Sequence, residues 1–500
     1  MKRTLFCTAL MALMSQSVMA QDVYDVARLS TSELNGTARF IGMGGALSAL
    51  GGDVTTAATN PAGIGIFRSN DVSVSGGSVM LGNKDMVKNN RASFDQMGVV
   101  FSSKYSNYSP LRYLNYGVNY RKRTNFFDSY GVGNVWNGDF SQTYSMAEMT
   151  YDMLDGRQMP MLASMAVNSG ALYVDKDNHY TGIPAADSYF NTIQKGGISE
   201  IDFTLAANYN DQVFLGATVG YYDVNLTRSS YYTENNNDDG GYYDLYNDYF
   251  TDGAGVDLKL GAIIRPIADS GFRFGVSIHT PTFYTLTDSN SAYMYVYENN
   301  GKEIGSSGKY TDPMDYQLRT PWKFNLSLGH TIGNKLALGA EYELEDYSTI
   351  RIRTGEGLQS NYTDYVDNSC RDFLKTVHTL RLGLEYKPVA DLSLRAGYNL
   401  QTAQYNIGAY RSLVDFTDMN VDTFTDTQYE NLFSLNRFTA GIGYRIDQFY
   451  MDLGYQFSTQ KSDFFAFDDY YTDNGSTVYL PATELKKNRH QVTLTLGYKF

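Results

Sequence analysis

Apolar and polar residues alternate with a period of two in many separate segments of this chain, and this pattern constrains the fold more than any other feature. The pattern is clear in residues 201–209, 256–264, 336–344 and 491–500. A period of two places one set of side chains on each face of a β-strand. In a barrel that spans a membrane, the apolar set faces lipid and the polar or small set faces the lumen. A single segment of this kind fits a half-buried strand of a soluble sandwich equally well.

The alternating segments are separated in turn by short polar turns and by much longer polar stretches. The short turns are expected at 106–111, 210–212, 266–271, 333–335, 388–391 and 447–448. The long loops are expected at 82–95, 124–199, 228–253, 282–320, 347–376, 401–434 and 458–489. Six short turns that alternate with seven long loops give fourteen strands, with both chain ends on the short-turn side. We therefore predict an all-β fold, a 14-stranded antiparallel transmembrane β-barrel of a bacterial outer membrane with periplasmic N- and C-termini.

The composition agrees with a β-rich protein. The 500 residues include 43 tyrosines and 46 glycines but only 10 prolines, and 19% of the residues are charged. Soluble domains are about 25% charged, whereas aromatic side chains suit a pleated surface. Residues 1–20 place Lys2 and Arg3 before an apolar run and end in Val18-Met19-Ala20, which predicts a cleaved signal peptide.

The mature chain is expected to begin at Gln21, and the loss of Lys2 and Arg3 takes its formal charge from −14 to −16. Such an acidic chain is not expected to bind nucleic acid, because phosphate binding requires clustered Lys and Arg. Cys370 is its one cysteine, which excludes an intrachain disulfide. No apolar run approaches the ~18 residues that suggest a membrane-spanning helix.

Two regions do not have the alternating pattern. Residues 139–167, inside the largest loop at 124–199, show helical spacing and many methionines. One or two short helices are expected there, and they either cover the barrel mouth or contact a substrate. Residues 21–70 precede the barrel, which is expected to span 71–500. Small residues dominate 41–66, so this N-terminal segment is expected to enter the lumen and plug it.

This N-terminal segment resembles the FadL/TodX family of outer-membrane hydrocarbon transporters, in the form found among Bacteroidetes-type outer-membrane proteins. The residues that carry the resemblance are Gly44-Gly45-Ala46, Ala49, Gly51, Asp53 and, above all, Asn60-Pro61-Ala62-Gly63. The resemblance implies a fourteen-stranded barrel with an N-terminal hatch that carries hydrophobic molecules, such as long-chain fatty acids, across the outer membrane. It also implies that external loops capture the ligand, that the lumen binds it, and that it leaves sideways through the wall.

The same resemblance assigns roles to named residues. Asn60, Pro61, Ala62 and Gly63 become the candidate gate. The lateral opening is expected near the third strand, residues 112–123, where Gly117 would weaken the ladder. The partners it implies are a hydrophobic ligand, outer-membrane lipid and, through a last strand that ends at Phe500, the barrel-assembly machinery. Loop 124–199 departs from the family, whose main capture loops come later in the chain.

A ligand carboxylate would require a cation in the lumen. The parity of the alternation places Arg381 and Arg395 in the lumen beside Glu341, Glu343 and Glu385. These arginines either contact the ligand head group or form an ion-pair network that rigidifies the barrel. The acidic neighbours favour the network.

Other functions remain open at this point. An enzyme is disfavoured and no catalytic residue is assigned, because the five histidines are scattered and Gly-x-Ser-x-Gly is absent. No cofactor or metal is expected, since the acidic stretch 234–252 lacks EF-hand spacing and is better explained as a solvated surface. The N-terminal segment argues against a general porin, and the strand count argues against a TonB-coupled transporter. The main alternative is a barrel that binds or scaffolds exported proteins or haem.

Overall fold

The structure is a computed structural model of the chain. It describes residues 21–82, 90–105, 108–136, 140–150, 159–236, 240–267, 269–411, 425–471 and 477–500. The expected signal peptide, residues 1–20, lies outside the described residues, as does part of the predicted turn at 106–111. None of the helices within these ranges has the length and apolar character needed to cross a membrane.

Most of the strands form one closed antiparallel sheet. In chain order the strands are β1 Asp71–Leu81, β2 Asn90–Lys104, β3 Leu111–Asn125, β4 Asp128–Val135, β5 Tyr173–Val174, β6 Tyr180–Thr181, β7 Ala185–Tyr209, β8 Val213–Asn236, β9 Tyr242–Ile264, β10 Arg273–His279, β11 Phe283–Tyr297, β12 Glu303–Tyr310, β13 Met314–Arg319, β14 Lys323–Ile332, β15 Leu336–Asp346, β16 Arg351–Thr354, β17 Thr376–Val389, β18 Leu392–Gln401, β19 Tyr429–Ile446, β20 Phe449–Phe465, β21 Tyr470–Tyr471, β22 Thr477–Val478 and β23 Thr483–Lys499. Nineteen of these strands form the closed sheet, and the pairs β5–β6 and β21–β22 form two small separate sheets. Four barrel strands are interrupted. Three consist of two pieces, namely β3 with β4, β10 with β11 and β15 with β16, and the fourth consists of three pieces, β12, β13 and β14. The predicted fourteen-stranded antiparallel barrel is confirmed.

The barrel closes between its first and last strands. β1 pairs with β23 from Asp71 opposite Lys499 to Leu81 opposite Arg489, without a shift in register. Phe500 extends this closure, because it exchanges two backbone hydrogen bonds with Asn70 (3.0 and 3.1 Å). Each barrel strand therefore has a partner on both sides. Closure of this kind satisfies the backbone groups that an edge strand would expose.

Outward-facing side chains form an apolar band next to the short turns. On β7, β8 and β9 this band covers residues 201–209, 213–221 and 256–264. Leu205, for example, is 54% exposed and Val219 is 53% exposed. Each stretch matches the roughly 9–11 residues that a tilted strand needs to cross a hydrocarbon core.

Beyond this band the strands continue into regions that the sequence analysis assigned to loops. β8 and β9 stay paired as far as Asn235 opposite Tyr242, so the predicted loop at 228–253 is a hairpin. β11 pairs with β9 throughout, although it lies in the predicted loop at 282–320. The outward residues change from apolar to polar at the end of the band, while the inward residues stay buried. The loss of apolar alternation therefore marks the end of the band and not the end of the strands.

The N-terminal segment, residues 21–70, folds into short helices that lie in the lumen. They are the α-helices Val23–Ser30 and Ala38–Gly42 and the 3-10 helices Val54–Ala58 and Pro61–Ile66. Each begins at a polar residue whose side chain accepts a backbone N–H of the first turn, namely Asp22, Thr37, Asp53 and Asn60. Four caps within about forty residues therefore explain why the segment folds as short turns of helix and not as a strand.

Glycines on the barrel wall allow the N-terminal segment to approach the strands closely. A Cβ atom at Gly339 would lie 2.1 Å from the carbonyl oxygen of Ala46. A Cβ atom at Gly383 would lie 2.4 Å from the carbonyl oxygen of Met43. Small residues on both sides thus permit backbone-to-backbone packing inside the barrel.

The N-terminal segment runs from one end of the lumen to the other. Asn70 joins Phe500 at the short-turn end. Gln21 lies at the opposite end, where its side-chain amide donates to Asp288 on β11. Residue 21, where the mature chain is expected to begin, thus lies at the long-strand end, and the periplasmic position of the chain ends stays a prediction.

Three further helices cover the long-strand end of the barrel, namely Gln142–Glu148, Met161–Ser169 and Asn361–Phe373. The first two lie in the region predicted to be helical, of which residues 151–158 are outside the described part. Met146 and Met165 are fully buried, in one apolar cluster with Tyr24 of the N-terminal segment and Phe190 of β7. These three helices, which we call the cap, therefore pack on both the barrel and the N-terminal segment.

A buried carboxylate on β8, Glu234, contacts the cap. Glu234 accepts hydrogen bonds from the Ser141 hydroxyl (2.6 Å) and the Gln142 N–H (2.7 Å) at the start of a cap helix. In the described part of the chain no basic side chain forms an ion pair with it. Burial raises the pKa of Glu234 to about 7, from an ordinary value of 4.5.

We predict that this end of the cap loosens as the pH rises through neutrality. Because the pKa of Glu234 is higher in the folded than in the unfolded protein, its contribution to stability is complete below about 4.5 and is lost as the pH rises through about 7. Hydrogen exchange at residues 140–150, corrected for the intrinsic rate, should therefore be faster at alkaline than at mildly acidic pH. Glu234→Gln should abolish this difference. The same pH dependence in both proteins would contradict the assignment.

Candidate functional site

Residues 60–63, the predicted gate, lie against the inner wall of β8 and β9. The Asn60 amide donates to a β9 carbonyl (3.3 Å) and accepts a hydrogen bond from a backbone N–H of its own turn (3.1 Å). Two wall glycines face this turn. A Cβ atom at Gly261 would lie 2.0 Å from Asn60 Oδ1, and one at Gly216 would lie 2.3 Å from the Pro61 carbonyl carbon. The turn therefore fits into a hollow that exists because both wall residues lack side chains.

Gly117, the predicted weak point of the third strand, lies in the middle of β3. It is opposite Val100 on β2 and Thr204 on β7, within continuous registers. The register of β3 with β7 shifts instead near its two ends, at 111–113 and 122–124. The ladder is thus intact at Gly117. The helix Pro61–Ile66, which contains most of the predicted gate, contacts β3 through Asn115, whose side-chain amide donates to the Ile64 carbonyl (2.8 Å). A lateral opening near β3 remains a prediction.

Arg381 and Arg395 face the lumen, where both bind carboxylates. Arg381 forms ion pairs with Glu341 and Glu343, and Arg395 forms ion pairs with Glu385 (2.7 Å) and Asp452 (2.5 Å). Both guanidinium groups are therefore already neutralised. This arrangement is the ion-pair network that the sequence analysis weighed against a head-group site.

A cavity of 280 Å³ lies between the N-terminal segment and the long-strand half of the barrel. We call it the aromatic cavity, because its wall includes many aromatic side chains. The apolar lining residues are Tyr24, Leu81, Phe126, Phe127, Tyr130, Phe190, Tyr405, Tyr429, Leu432, Phe433, Leu435 and Phe464. Tyr24 lies with its ring centroid 5.0 Å from that of Tyr405 and 5.3 Å from that of Tyr429. Helix Val23–Ser30 thus contributes to one wall, and the rest comes from the strands and from the connection between β18 and β19. A cavity of this size is close to the lower end of small-molecule sites, about 300 Å³.

Six cations line the aromatic cavity, namely Arg28, Arg228, Arg411, Arg437, Lys487 and Arg489. All but Arg437 form ion pairs with carboxylates at 2.9 Å or less. Arg437 is only 5% exposed and has no carboxylate within ion-pair distance among the described residues. Its guanidinium donates to the side-chain oxygens of Asn399 (2.8 Å) and Gln401 (3.4 Å). A positive charge therefore lies at the cavity with only neutral acceptors.

Arg437 was not among the site residues predicted from the sequence, although the alternation along its strand indicates that it faces the lumen. Phe438 and Ile442 on the same strand face outward, so the alternation places residue 437 in the lumen. Its lack of a partner was not visible, because the neighbours of an inward side chain are set by the register of other strands. Arg437 differs from Arg381 in the side chains that neighbouring strands place beside it, which are Asn399 and Gln401 for Arg437 and Glu341 and Glu343 for Arg381.

A second cavity, of 560 Å³, lies at the short-turn end and is lined by polar residues such as Arg273 and Lys335. A void of 30 Å³ contacts both Arg381 and Arg437. Leu34 and Phe40 of the N-terminal segment line this void. The N-terminal segment thus occupies the space between the aromatic cavity and the short-turn end.

The sequence matches no protein-family model and no curated protein. Solved structures match over nearly the whole chain. A FadL homologue of Pseudomonas aeruginosa is 13% identical, with 94% of this chain and 100% of that chain covered and a TM-score of 0.50. The monoaromatic hydrocarbon channel CymD is 10% identical, with 94% of this chain and 99% of that chain covered and a TM-score of 0.52. The chain has the FadL-like barrel fold.

The FadL-like fourteen-stranded barrel that the strand count and the Asn60–Gly63 motif predicted is confirmed. The relation to Bacteroidetes-type members stays a prediction. Within the described ranges, no three His, Cys, Asp or Glu side chains are grouped so that they would hold a metal ion. The aromatic cavity together with Arg437 is the candidate functional site of this FadL-like barrel.

We predict that Arg381→Met lowers the free energy of unfolding by about 3–5 kcal/mol, because Glu341 and Glu343 would lose a buried counter-ion. Arg437→Met is the matched variant, since it leaves no carboxylate without a partner and should change stability much less. Urea unfolding of the purified barrels in lipid vesicles measures both. An equal loss in the two variants would contradict the difference in pairing.

Proposed function

We propose that the protein is an outer-membrane channel for hydrophobic small molecules that carry one anionic group, with long-chain fatty acids as the model ligand. The observation that carries the proposal is Arg437, a buried cation without a carboxylate partner beside an aromatic cavity. Burial of the ligand's apolar part would gain about 25 cal/mol per Å² of surface. Its anionic group would supply the counter-charge, and charge-assisted hydrogen bonds are roughly twice as strong as neutral ones.

The apolar band supports a position in the outer membrane, where lipid would cover it. Short turns on one side and long strands on the other agree with periplasmic and external sides, respectively. CymD, which has a similar fold, is a monoaromatic hydrocarbon channel, and this supports a hydrophobic ligand. Contact between the last strand, which ends at Phe500, and the barrel-assembly machinery remains part of the proposal.

In the proposed route, the ligand passes the cap, binds in the aromatic cavity and leaves after the N-terminal segment moves. Residues 60–63 act as the gate, because they are the part of the segment held in the hollow at Gly216 and Gly261. The competing function is a barrel that binds exported proteins or haem. It would show stable co-purification of such a partner and no preference for anionic ligands.

Arg437→Met should weaken the binding of a fatty acid by about tenfold or more, the ratio expected from loss of a charge-assisted hydrogen bond. Binding of the fatty alcohol of equal chain length should change little, because the apolar wall is intact. Calorimetry of the purified barrel with both ligands measures this difference. The control is Arg445→Met, an exposed residue at the short-turn end of the same strand. Equal loss for acid and alcohol, or no binding of either by the unaltered barrel, would contradict the proposal.

Gly216→Ala should displace the gate, because the added Cβ would lie 2.3 Å from the Pro61 backbone. We expect a larger ion conductance of the purified variant in planar bilayers than that of the unaltered barrel. Gly133→Ala is the control, since its nearest neighbour would be a Tyr189 ring atom at 3.8 Å. A correctly folded Gly216→Ala barrel with unchanged conductance would argue against residues 60–63 as the gate.

A further inference from the structure

The outer end of the N-terminal segment is wholly buried. Gln21 is 0% exposed, and its side-chain Nε2 donates to Asp288 Oδ2 (2.7 Å). Its backbone carbonyl accepts a hydrogen bond from the Tyr362 hydroxyl of the cap. Gln21 is also the residue at which the mature chain is expected to begin. A new chain terminus would therefore lie in the interior of the protein.

The charges around this end do not balance. Four carboxylates lie here, Asp22, Asp25, Asp288 and Asp426, and a fifth, Asp468, lies near Arg411. The guanidinium groups are those of Arg28, Arg228 and Arg411. Asp22 pairs with Arg411 (2.6 Å), Asp25 with Arg28 (2.9 Å) and Asp426 with Arg228 (2.9 Å). Asp288 has no such ion pair among the described residues.

Asp288 is 1% exposed and forms no ion pair within the part of the chain that the structure describes. Its hydrogen-bond donors are neutral, namely the Gln21 amide and the hydroxyls of Tyr249 and Tyr316. A buried carboxylate without a cation carries a large desolvation cost, which a positive charge at hydrogen-bond distance would offset.

We infer that the α-ammonium group of Gln21, released by cleavage after Ala20, binds Asp288 and is the missing cation. Cleavage converts an uncharged peptide nitrogen into a charged amine on the same residue whose side chain already contacts this carboxylate. The inference depends on the predicted cleavage site and is independent of the proposed ligand. An uncleaved precursor has no charge at this position, so the outer end of the N-terminal segment reaches its final state only after processing.

An N-terminal glutamine has a competing fate. Its amine attacks the side-chain amide carbon, a carbon–nitrogen bond forms, and ammonia leaves. The product is a neutral lactam, which cannot serve as the counter-ion of Asp288. The inferred ion pair therefore requires that Gln21 stay uncyclised.

The first test is mass spectrometry of the N-terminal peptide of the full chain, purified from outer membranes of a Gram-negative host. We expect a peptide that begins at Gln21 and has not lost ammonia. The second test is the rate at which an amine-selective reagent labels this terminus in the folded barrel. Labelling should be slow in the unaltered protein and at least about tenfold faster in Asp288→Asn, the ratio expected for loss of a hydrogen bond between charged groups.

Three further variants separate the charge from its surroundings. Gln21→Ala keeps the amine and cannot cyclise, so it should label slowly. Asp288→Glu keeps the charge and should label more slowly than Asp288→Asn. Asp248→Asn, an outward-facing carboxylate on the neighbouring strand, should behave like the unaltered protein. Cleavage at another residue, a cyclised terminus, or equal labelling of the unaltered protein and a heat-modifiable, folded Asp288→Asn barrel would each overturn the inference.

Discussion

Charges that face the lumen of a closed sheet lose contact with bulk water once the N-terminal segment fills that lumen, and each then needs a partner. Lys259 on β9 illustrates the rule, because its ammonium lies 2.5 Å from both Glu200 and Asp202. Arg121 reaches Glu200 from the other side at 2.6 Å. The strands supply these partners in cross-strand rows, so the pairing depends on correct closure of the barrel. A lumenal cation that has only neutral acceptors and no carboxylate partner, such as Arg437, is therefore a candidate for binding an anionic ligand.

The N-terminal segment is bound to parts of the barrel that are distant in sequence. The Ala38 N–H donates to the Thr495 hydroxyl (2.7 Å), and the Thr218 hydroxyl donates to the Ala57 carbonyl (3.1 Å). The first of these contacts joins residues that are 457 positions apart. Such contacts require that the last strand already be in place, because the ends of a long loop must meet before the contact exists. The contact of Ala38 with Thr495 can therefore form only when the last strand is in place.

The sequence predicted the fold well because a lipid-facing band imposes a strict period of two over about ten residues. Turn and loop spacing then determined the number of strands. The alternation predicted strand ends inside β8 and β9, because the outward residues beyond the band are polar. The lipid-facing pattern therefore ends although the strands continue. It also could not separate Arg381 from Arg437, because both are inward arginines by parity. Their difference arises from whether the neighbouring strand supplies Glu or Asn at the facing position, which only the register reveals.

The arrangement of charges also bears on how an apolar ligand would leave the aromatic cavity. The small void below this cavity is lined by Arg121, Lys323, Glu343, Glu345 and Arg381. A ligand that moved down the lumen would separate these pairs and exchange an apolar wall for an ionic one, at a cost of several kcal/mol for each broken pair. The outer surface of the wall, toward the short-turn end, carries the apolar band that lipid would cover. For the proposed channel, this cost would favour sideways release over passage along the axis, although the ladder at Gly117 is intact. Any such opening would have to come from a change in strand pairing, and the register shifts near the ends of β3 are the irregularities closest to the predicted position.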